Sequence, residues 1–457
     1  MVSLMRKIKK IFPVLAVMAL LVLQAVAVSC SQRPDMAPKY RNILLRDFRT
    51  VKDGMVINYN IGTAAHCPAT LSVLRKYLPD EVDITVWADE PLCPELREMM
   101  ACRWPDVRFV YGELDADASE ELKAAVDRSD LLLVSSGSGV ANSVKASINA
   151  YRALTGKSVA AYAVGGVPSD ILQVMDFCWI RDEKALAKYA GTPSVCGWAP
   201  DAVFDFDCRD DEAAEHFISG NSLQEGGFIC LIPGYRFTPR WEYFGGKVDK
   251  RKAEANEAMA EADNSILRDI AVMAVREKGM KVLICAEQVP ELKLARDVVY
   301  AHLPEDVKSQ CVVLDSWWSP QMALGVYVKS AAVIGIEMHS QVMALGNGVP
   351  SVILRHSGFG TKSDMWRTIG LGEWLFDIDE PGAGECSCAA VRGILDNKEH
   401  ADSLVMAARR IIDDSTASAI RQSFFVRLLP KSNGNRTIDQ ENHSDTNDSI
   451  GIFQKNV

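Results

Sequence analysis

The sequence predicts an α/β fold made of two doubly wound, Rossmann-like domains with an interdomain cleft. Short apolar, β-branched runs alternate with helical patterns of about ten to fifteen residues, which is typical of βα units on a parallel sheet. This alternation occurs twice, on either side of a polar, strand-poor stretch at residues 211–226 that we interpret as the interdomain linker. At 457 residues and 48% hydrophobic content, the chain is long enough to build two such cores.

The first domain is predicted at residues 50–210. Its candidate strands and the segments that continue their pattern are GMVINYN, VDITVWA, VRFVYG, DLLLVSSGSG, KSVAAYAVGG, DFCWIRDEKALAKYAG and SVCGWAPDAVF. A helix is expected after each of the first four runs, near residues 67–77, 94–103, 119–128 and 142–154. The strand runs are apolar almost throughout, which predicts strands that are buried on both faces.

The second domain is predicted at residues 227–428. Its candidate strands are FICLIPGY, KVLICAE, CVVLDS, AAVIGIE and PSVILRH. A long helix is expected to end near residue 278, and shorter ones lie near residues 290–302, 320–330 and 340–346. Because parallel α/β sheets bind ligands outside the carboxyl ends of their strands, the cleft between the two domains is the expected site.

The two ends of the chain predict an exported, membrane-tethered protein. Residues 1–30 resemble a signal peptide, with four basic residues, an apolar run and small residues before Cys30. Lipidation of Cys30 would make the mature protein a lipoprotein, with residues 31–49 as a tether. The alternative is an uncleaved anchor with the body facing the cytoplasm, although the basic residues ahead of the run favour export. Residues 429–457 are polar and predicted to be disordered.

Charge and cysteine usage exclude several classes of protein. The formal net charge is −10 and no long basic block occurs, which argues against a nucleic-acid partner. Most of the other eleven cysteines lie in apolar runs, so we predict no disulfide framework. Cys386 and Cys388 have no second ligand pair at a suitable spacing, so neither a metal site nor a cofactor is predicted.

The stretch AAVIGIEMHSQVMALGNGVPSVIL, residues 331–354, contains the strongest candidate site. A buried strand is followed by Glu337 and His339, where side chains can face the cleft. Ser340 can cap the next helix, whose first amides can face an anion. A lone histidine is more often structural than catalytic, but its position at a strand-to-helix junction favours a functional role.

Three further elements provide candidate ligand-binding residues. Asn60 and Gly62 lie in NYNIGTAAHCPATL, and Gly137 and Gly139 lie in SSGSGVANS. A glycine turn before a helix lets the backbone approach an anion, although such turns are common in α/β proteins. Arg181 opens a helical segment and could hold a carboxylate or phosphate with two hydrogen bonds, or form an ordinary ion pair with the aspartate that follows it.

Together these elements resemble the polysaccharide pyruvyl transferase family over about residues 54–371. The family has a histidine at such a junction, then a Gly-x-Pro turn and a lysine, which match His339, the sequence GVP at residues 348–350, and Lys362. Its Arg-Asp and Pro-Asp pairs match residues 181–182 and 200–201, and its Asn-x-Gly matches Asn60 and Gly62.

Two positions depart from the family pattern. Glu337 stands where some members have arginine, and Thr63 stands where an aspartate is expected. An acidic side chain at position 337 would repel an anionic donor unless it is paired or points away.

The resemblance implies transfer of a pyruvyl group from phosphoenolpyruvate to sugar hydroxyls of a surface glycan. His339 would be a general acid or base, and Arg181 and Lys362 would bind the charges of the donor. Glu337 would be a base for a sugar hydroxyl or would orient His339. The glycine loops would line the donor pocket, and a glycan or polysaccharide would be the acceptor.

Two alternatives remain open on the sequence. One is a glycosyltransferase of GT-B-like fold that uses a nucleotide sugar, in which Glu337 would contact the ribose of the donor. The other is an exported glycan-binding protein of the same fold without turnover. Neither phosphoenolpyruvate nor a nucleotide sugar is expected outside the cytoplasmic membrane, so the predicted location and the predicted donors conflict.

Overall fold

The computed structural model describes residues 36–47, 60–91, 94–242, 247–430 and 436–438. The predicted signal peptide, Cys30 and residues 54–59 of the first predicted strand lie outside these ranges. Within them, no helix has both the length and the apolar character that crossing a membrane requires.

The strands of the described residues are numbered in chain order. They are β1 (Met36–Pro38), β2 (Asn42–Arg46), β3 (Asp83–Ala88), β4 (Arg108–Tyr111), β5 (Leu131–Val134), β6 (Ser158–Val164), β7 (Phe177–Ile180), β8 (Val195–Trp198), β9 (Phe228–Ile232), β10 (Lys281–Ile284), β11 (Cys311–Val313), β12 (Ala332–Gly335), β13 (Ser351–Arg355), β14 (Leu375–Asp377), β15 (Phe425–Pro430) and β16 (Arg436–Ile438).

The α-helices of the described residues are numbered in the same way. They are α1 (Ile61–Tyr77), α2 (Pro94–Arg103), α3 (Glu120–Arg128), α4 (Asn142–Thr155), α5 (Ser169–Leu172), α6 (Asp211–Gly220), α7 (Lys250–Lys278), α8 (Glu291–Lys293), α9 (Glu305–Lys308), α10 (Pro320–Tyr327), α11 (His339–Gly346), α12 (Met365–Thr368), α13 (Ala383–Asp396) and α14 (Lys398–Phe424).

A seven-stranded sheet has the order β4-β3-β2-β5-β6-β7-β8, and every neighbouring pair is parallel. Its strands are apolar because helices cover both faces of a parallel sheet. The core on one side includes Leu44, Trp87, Leu132, Val159 and Cys178. The strand order reverses between β2 and β5, which places a ligand crevice at their carboxyl ends.

A six-stranded sheet has the order β11-β10-β9-β12-β13-β14 and is also parallel throughout. Strands β9 and β12 lie at its centre and are buried at every residue. Their order reverses between β9 and β12, so the segment after β12, which contains His339, lies at the expected crevice. The two sheets confirm the predicted α/β fold of two doubly wound, Rossmann-like domains.

One predicted segment is wrong and others need refinement. Residues 31–49 are not a simple tether, because β2 lies within them and pairs with both β3 and β5. The run NILLR is short and flanked by charges, so only its two neighbouring strands reveal it as a core strand. The predicted linker contains α6, and helix α1 begins at Ile61 rather than near residue 67. The remaining domain limits stay predictions.

A separate unit contains residues 36–39 and 424–430 and the short strand β16. In it, β15 pairs antiparallel with β1 and with β16. Strand β16 and the last two residues of β15 fall inside the segment predicted to be disordered, and the other residues of that tail lie outside the described ranges.

Candidate active site

His339 is held by a buried carboxylate. Its Nδ1 lies 3.1 Å from Oε1 of Glu287, which follows β10 and is fully buried. The other carboxylate oxygen, Oε2, accepts hydrogen bonds from the backbone N–H (2.7 Å) and the hydroxyl (3.0 Å) of Ser340. Burial by itself would raise the pKa of Glu287, but these hydrogen bonds outweigh it and lower that pKa. Glu287 is therefore the anion at the start of α11.

This contact determines what the other ring nitrogen of His339 can do. An ionised Glu287 only accepts hydrogen bonds, so Nδ1 of His339 carries the proton that it donates. The Nε2 atom then has a lone pair. It is buried and makes no hydrogen bond within the described residues, and its closest acid is Oδ2 of Asp201 at 4.0 Å. A carboxylate that orients a histidine in this way is the arrangement of a general base.

Arg181 and Asp201 form a buried ion pair beside His339. They follow β7 and β8, and Nη1 of Arg181 donates a hydrogen bond to Oδ2 of Asp201. The Oδ1 atom of Asp201 accepts from the backbone N–H of Val203 (3.0 Å) and from the hydroxyl of Ser136 (3.3 Å). Although burial alone would raise the pKa of Asp201, the charge of the Arg181 guanidinium group beside it holds that pKa well below its ordinary value.

The start of α1 supplies the second histidine and makes room for the first. His66 and Gly62 are one helical turn apart, so they lie on the same face. The His66 ring meets the His339 ring edge-on at 4.9 Å, and its Nδ1 lies 3.5 Å from Oδ1 of Asp201. A Cβ atom at Gly62 would overlap the His339 ring, so only glycine allows this close approach.

Asn60 links α1 to the second sheet. Its side-chain oxygen accepts from the backbone N–H of Thr63 at 2.8 Å and so caps the helix. The N–H of Ile61 donates to the carbonyl of Glu287 at 3.1 Å, and Asn60 forms an isolated β-bridge with Gln288. Asn60 and Gly62 thus help to position His66 next to His339. Contact of Asn60 and Gly62 with a ligand stays a prediction.

Glu337 does not contact His339 in the way that the sequence suggests. It is 7% exposed, and its Oε1 accepts from Nε2 of Gln288 at 2.7 Å. The same Gln288 nitrogen also donates to Oε1 of Glu291 at 2.9 Å. Burial, with a smaller contribution from the charge of Glu287, raises the pKa of Glu337. The prediction that Glu337 orients His339 is wrong, because Glu287 does so.

The other predicted residues lie around this centre. The Nζ of Lys362 lies 3.8 Å from the centroid of the Phe359 ring, and its charge acts on Glu337. The carbonyl of Gly137 accepts from the N–H of Gly165 at 2.8 Å. Gly139 has φ +147°, and a Cβ there would lie 2.7 Å from the carbonyl of Gly166. These two glycines pack one loop against another, and their ligand binding stays a prediction, as does that of Lys362.

Three side chains are close enough together to hold a metal ion. The nitrogen and oxygen atoms of His66, Asp201 and His339 lie within 4.8 Å of one another. Arg181 already occupies one oxygen of Asp201, and its Nη1 lies 3.4 Å from Nε2 of His66. A divalent cation would therefore meet the charge of the guanidinium group at close range. The pairing with Arg181 therefore argues against a metal ion at these three side chains.

Sequence reasoning assigns no role to His66, Asp201 or Glu287. The signal for Glu287 is the rule that also identifies His339, because KVLICAE ends a buried strand with an acid. The signal for His66 is its four-residue spacing from Gly62 on the first turns of a helix. Asp201 belongs to the Pro-Asp pair, but its role emerges only when Arg181 lies beside it.

Comparisons with known proteins define the fold. No protein-family model matches the sequence, and a search of curated proteins finds no match. Among solved structures, S. aureus MnaA in complex with UDP aligns at 11% identity and a TM-score of 0.51, covering 83% of this chain and 94% of that one. A UDP-N-acetylglucosamine 2-epimerase aligns at 12% identity and a TM-score of 0.50, covering 84% and 96%. The chain has a GT-B-like fold.

Proposed function

We propose that the chain transfers a group from an anionic, phosphate-bearing donor to a sugar hydroxyl, with His339 as the general base. One observation carries this proposal. The Nε2 atom of His339 is buried and makes no hydrogen bond within the described residues, while Glu287 holds the proton on Nδ1. This base lies at the carboxyl ends of the strands, beside the cationic side chain of Arg181, where folds of this type bind ligands.

In the proposed step, Nε2 of His339 takes the proton of the acceptor hydroxyl as its oxygen bonds to a carbon of the donor. The ring then carries a positive charge, which the ionised Glu287 stabilises. Arg181, already ordered by Asp201, stabilises negative charge on the donor. General base catalysis of this type contributes about 10²- to 10⁴-fold to a rate.

Phosphoenolpyruvate is the first candidate donor. The resemblance to pyruvyl transferases rests on separate stretches of sequence, and Gly62, Arg181, Asp201 and His339 from those stretches lie in one cluster. Glu337, which would repel an anionic donor if it were ionised and free, accepts a hydrogen bond from the side chain of Gln288. Both observations support a pyruvyl transfer to a glycan.

A nucleotide sugar is the second candidate donor. Two proteins with a similar fold, MnaA in complex with UDP and a UDP-N-acetylglucosamine 2-epimerase, support this class of ligand. In this version Glu337 would contact the ribose of the donor. That contact requires Glu337 to exchange its hydrogen bond from Gln288 for one from the ribose.

Calorimetric titration of the full chain with phosphoenolpyruvate and, separately, with UDP-N-acetylglucosamine tests both versions. We expect saturable binding of one ligand, weakened at least tenfold in Arg181→Lys because lysine cannot reproduce the guanidinium contacts. The matched control is Arg209→Lys, at an exposed ion pair. Binding of neither ligand by the folded protein would contradict the proposal and favour a glycan-binding role.

The location of the protein bears on the choice of donor. We propose that it is exported and anchored through a lipid on Cys30, as the first thirty residues indicate. Cell fractionation and protease accessibility of the wild type and of Cys30→Ser test this. A protein protected inside the cytoplasm would contradict export and remove the conflict with a cytoplasmic donor.

A further inference from the structure

A large polar cavity lies at the far end of two helices that carry the candidate active site. Its volume is about 780 Å³, and the C-terminal ends of α1, α2 and α11 line it together with Arg409 of α14 and residues 204–207. Of the described residues that line it, none belongs to the candidate active site. Small-molecule sites typically have volumes of about 300–1,000 Å³, so the cavity is large enough for a ligand of its own.

The length of the helices separates the cavity from the two histidines. His66 and Arg75 lie about 13 Å apart along the axis of α1, at a rise of about 1.5 Å per residue. His339 and Gly346 lie about 10 Å apart along α11 on the same basis. A ligand in the cavity would thus contact the elements that position the histidines without touching the histidines themselves.

The charges that line the cavity are balanced. Its basic side chains are Arg75, Lys76, Arg103 and Arg409, and an equal number of aspartates lines it. Each of these basic groups forms an ion pair with an aspartate. A cavity without an excess of either charge gives no electrostatic advantage to an anion or to a cation. The lining therefore favours a neutral ligand.

The charged groups of the lining can bind hydroxyl groups. Asp207 accepts a hydrogen bond from the hydroxyl of Ser72 at 2.8 Å and another from Nη2 of Arg103 at 2.8 Å. Within the described residues Arg103 hydrogen-bonds through this nitrogen alone, so its other N–H groups are left for a ligand or for water. A hydroxyl group both donates and accepts, so adjacent hydroxyls can bridge an aspartate and an arginine that lie side by side.

The lining is also ordered before any ligand arrives. Arg409 is mostly buried and donates to the carbonyl of Phe204 at 2.8 Å and to Oδ1 of Asp205 at 3.3 Å. The side-chain nitrogen of Asn347 donates to the carbonyl of Phe206 at 2.9 Å. Side chains that are already fixed lose less conformational entropy when a ligand binds.

We propose that this cavity binds a neutral saccharide and is a second carbohydrate site, apart from the donor and the reacting hydroxyl. A neutral saccharide has many hydroxyl groups and no charge, which suits a fixed, charge-balanced set of arginines and aspartates. The inference does not depend on turnover, because the cavity shares no described side chain with the candidate active site. In a protein that modifies a glycan, the cavity would hold the polymer at a second point and raise its avidity.

An array of neutral oligosaccharides tests the full chain, with sialylated and sulfated glycans on the same array as charged controls. We expect binding of at least one neutral glycan, and calorimetry with the tightest binder then gives its affinity. Arg103→Ala should weaken that affinity at least tenfold, because it removes charged hydrogen-bond donors. The matched control is Arg276→Ala, which removes an arginine of similar exposure from another surface pair and should leave the affinity unchanged.

Asp80→Ala is a second cavity variant that should fold normally, because Asp80 is exposed and makes no ion pair within the described residues. It should also weaken binding of the saccharide. Binding of charged glycans only, binding of no glycan, or unchanged affinity in both cavity variants overturns the inference.

Variants of the candidate active site locate the bound saccharide. Arg181→Lys and His339→Gln should keep the affinity of the wild type for it. Loss of affinity in these variants instead of in Arg103→Ala would place the saccharide at the candidate active site and overturn the inference. Donor binding is measured separately and should be unchanged in Arg103→Ala, so failure of the proposed function is distinguishable from failure of this inference.

Discussion

The two halves of the candidate site differ in how their charges are balanced. In the half from the seven-stranded sheet, Asp201 receives hydrogen bonds from Arg181, Ser136 and a backbone amide, so its charge is neutralised in place. In the half from the six-stranded sheet, His339 has a buried nitrogen without a hydrogen bond in the described residues, and burial raises the pKa of Glu337. The first half orders the site, whereas the second is suited to move protons.

The same difference appears between two buried acids that follow parallel strands, Asp201 and Glu337. Asp201 is paired with the cationic Arg181, which lowers its pKa despite burial. Glu337 lies among acids, and burial together with Glu287 raises its pKa. Similar burial therefore accompanies pKa shifts in opposite directions, and the neighbouring groups determine which direction results.

The largest expected effect comes from breaking the proton-moving half. His339→Gln should lower kcat by about 10²- to 10⁴-fold, because glutamine cannot take a proton from the acceptor. Donor affinity should change little, since the Arg181–Asp201 pair stays intact. Steady-state kinetics and calorimetry measure the two effects, with the exposed His216→Gln as the matched control. A similar loss of donor affinity in His339→Gln would assign His339 to binding instead.

The ordering half should respond in stability. Asp201→Asn should lower the free energy of unfolding by about 3–5 kcal/mol, because it leaves the Arg181 charge buried without its counter-ion. Asp211→Asn, at the exposed Arg209 pair, should cost less than about 1 kcal/mol. Urea denaturation of both variants measures the difference. Equal losses would mean that the buried pair contributes no more than a surface one.

The junction between the halves should be sensitive to a single methyl group. Gly62→Ala should destabilise the protein by about 1–3 kcal/mol, because the His339 ring must move to admit the Cβ atom. Gly393→Ala is the control, since Gly393 lies within α13 with open space around its Cβ position. That change should stabilise by about 0.5–1 kcal/mol. If thermal unfolding shows that both changes stabilise the protein, the His339 ring can move aside at little energetic cost.

The pH dependence of stability should separate the two acids. The pKa of Asp201 is below its ordinary 3.8, so its contribution is present above that pH and is lost as the pH falls further. The pKa of Glu337 is above its ordinary 4.5, so its contribution is full below that pH and is lost as the pH rises through the folded-state pKa. Each slope is at most about 1.4 kcal/mol per pH unit.

Denaturation across pH tests these slopes in variants. Asp201→Asn should weaken the loss of stability in acid, and Glu337→Gln should weaken the loss toward neutral pH. If Glu337→Gln leaves the slope above pH 4.5 unchanged, Glu337 does not bind a proton on folding.

The smallest effect should come from the hydroxyl that supports Glu287. Ser340→Ala removes one hydrogen bond to Oε2 of Glu287 and the one that its hydroxyl accepts from Tyr327 at 3.2 Å, and it leaves the backbone bond to Glu287 in place. We expect a cost of about 1 kcal/mol in urea denaturation. The control Ser265→Ala removes an exposed hydroxyl that bonds only within its own helix. A cost above about 3 kcal/mol would show that the hydroxyl of Ser340 contributes more to holding Glu287 than the backbone N–H of Ser340 does.

The sequence by itself determined the fold class and the position of His339. Apolar runs and helical spacing are local properties, and a buried parallel strand must end at the edge where ligands bind. Two elements escaped this reasoning. The short run of β2 is apolar at only three positions, and the tail contains β16, because strands this short depend on their pairing partners.

Only the tertiary structure decided the chemistry of the site. Glu287 meets His339 across 52 residues, and Arg181 meets His66 across 115. The sequence shows which acids follow strands, but only the structure shows that Glu287 contacts His339 whereas Glu337 contacts Gln288. Their pKa values depend on neighbours within a few ångströms, and chain folding brings those neighbours together from distant segments.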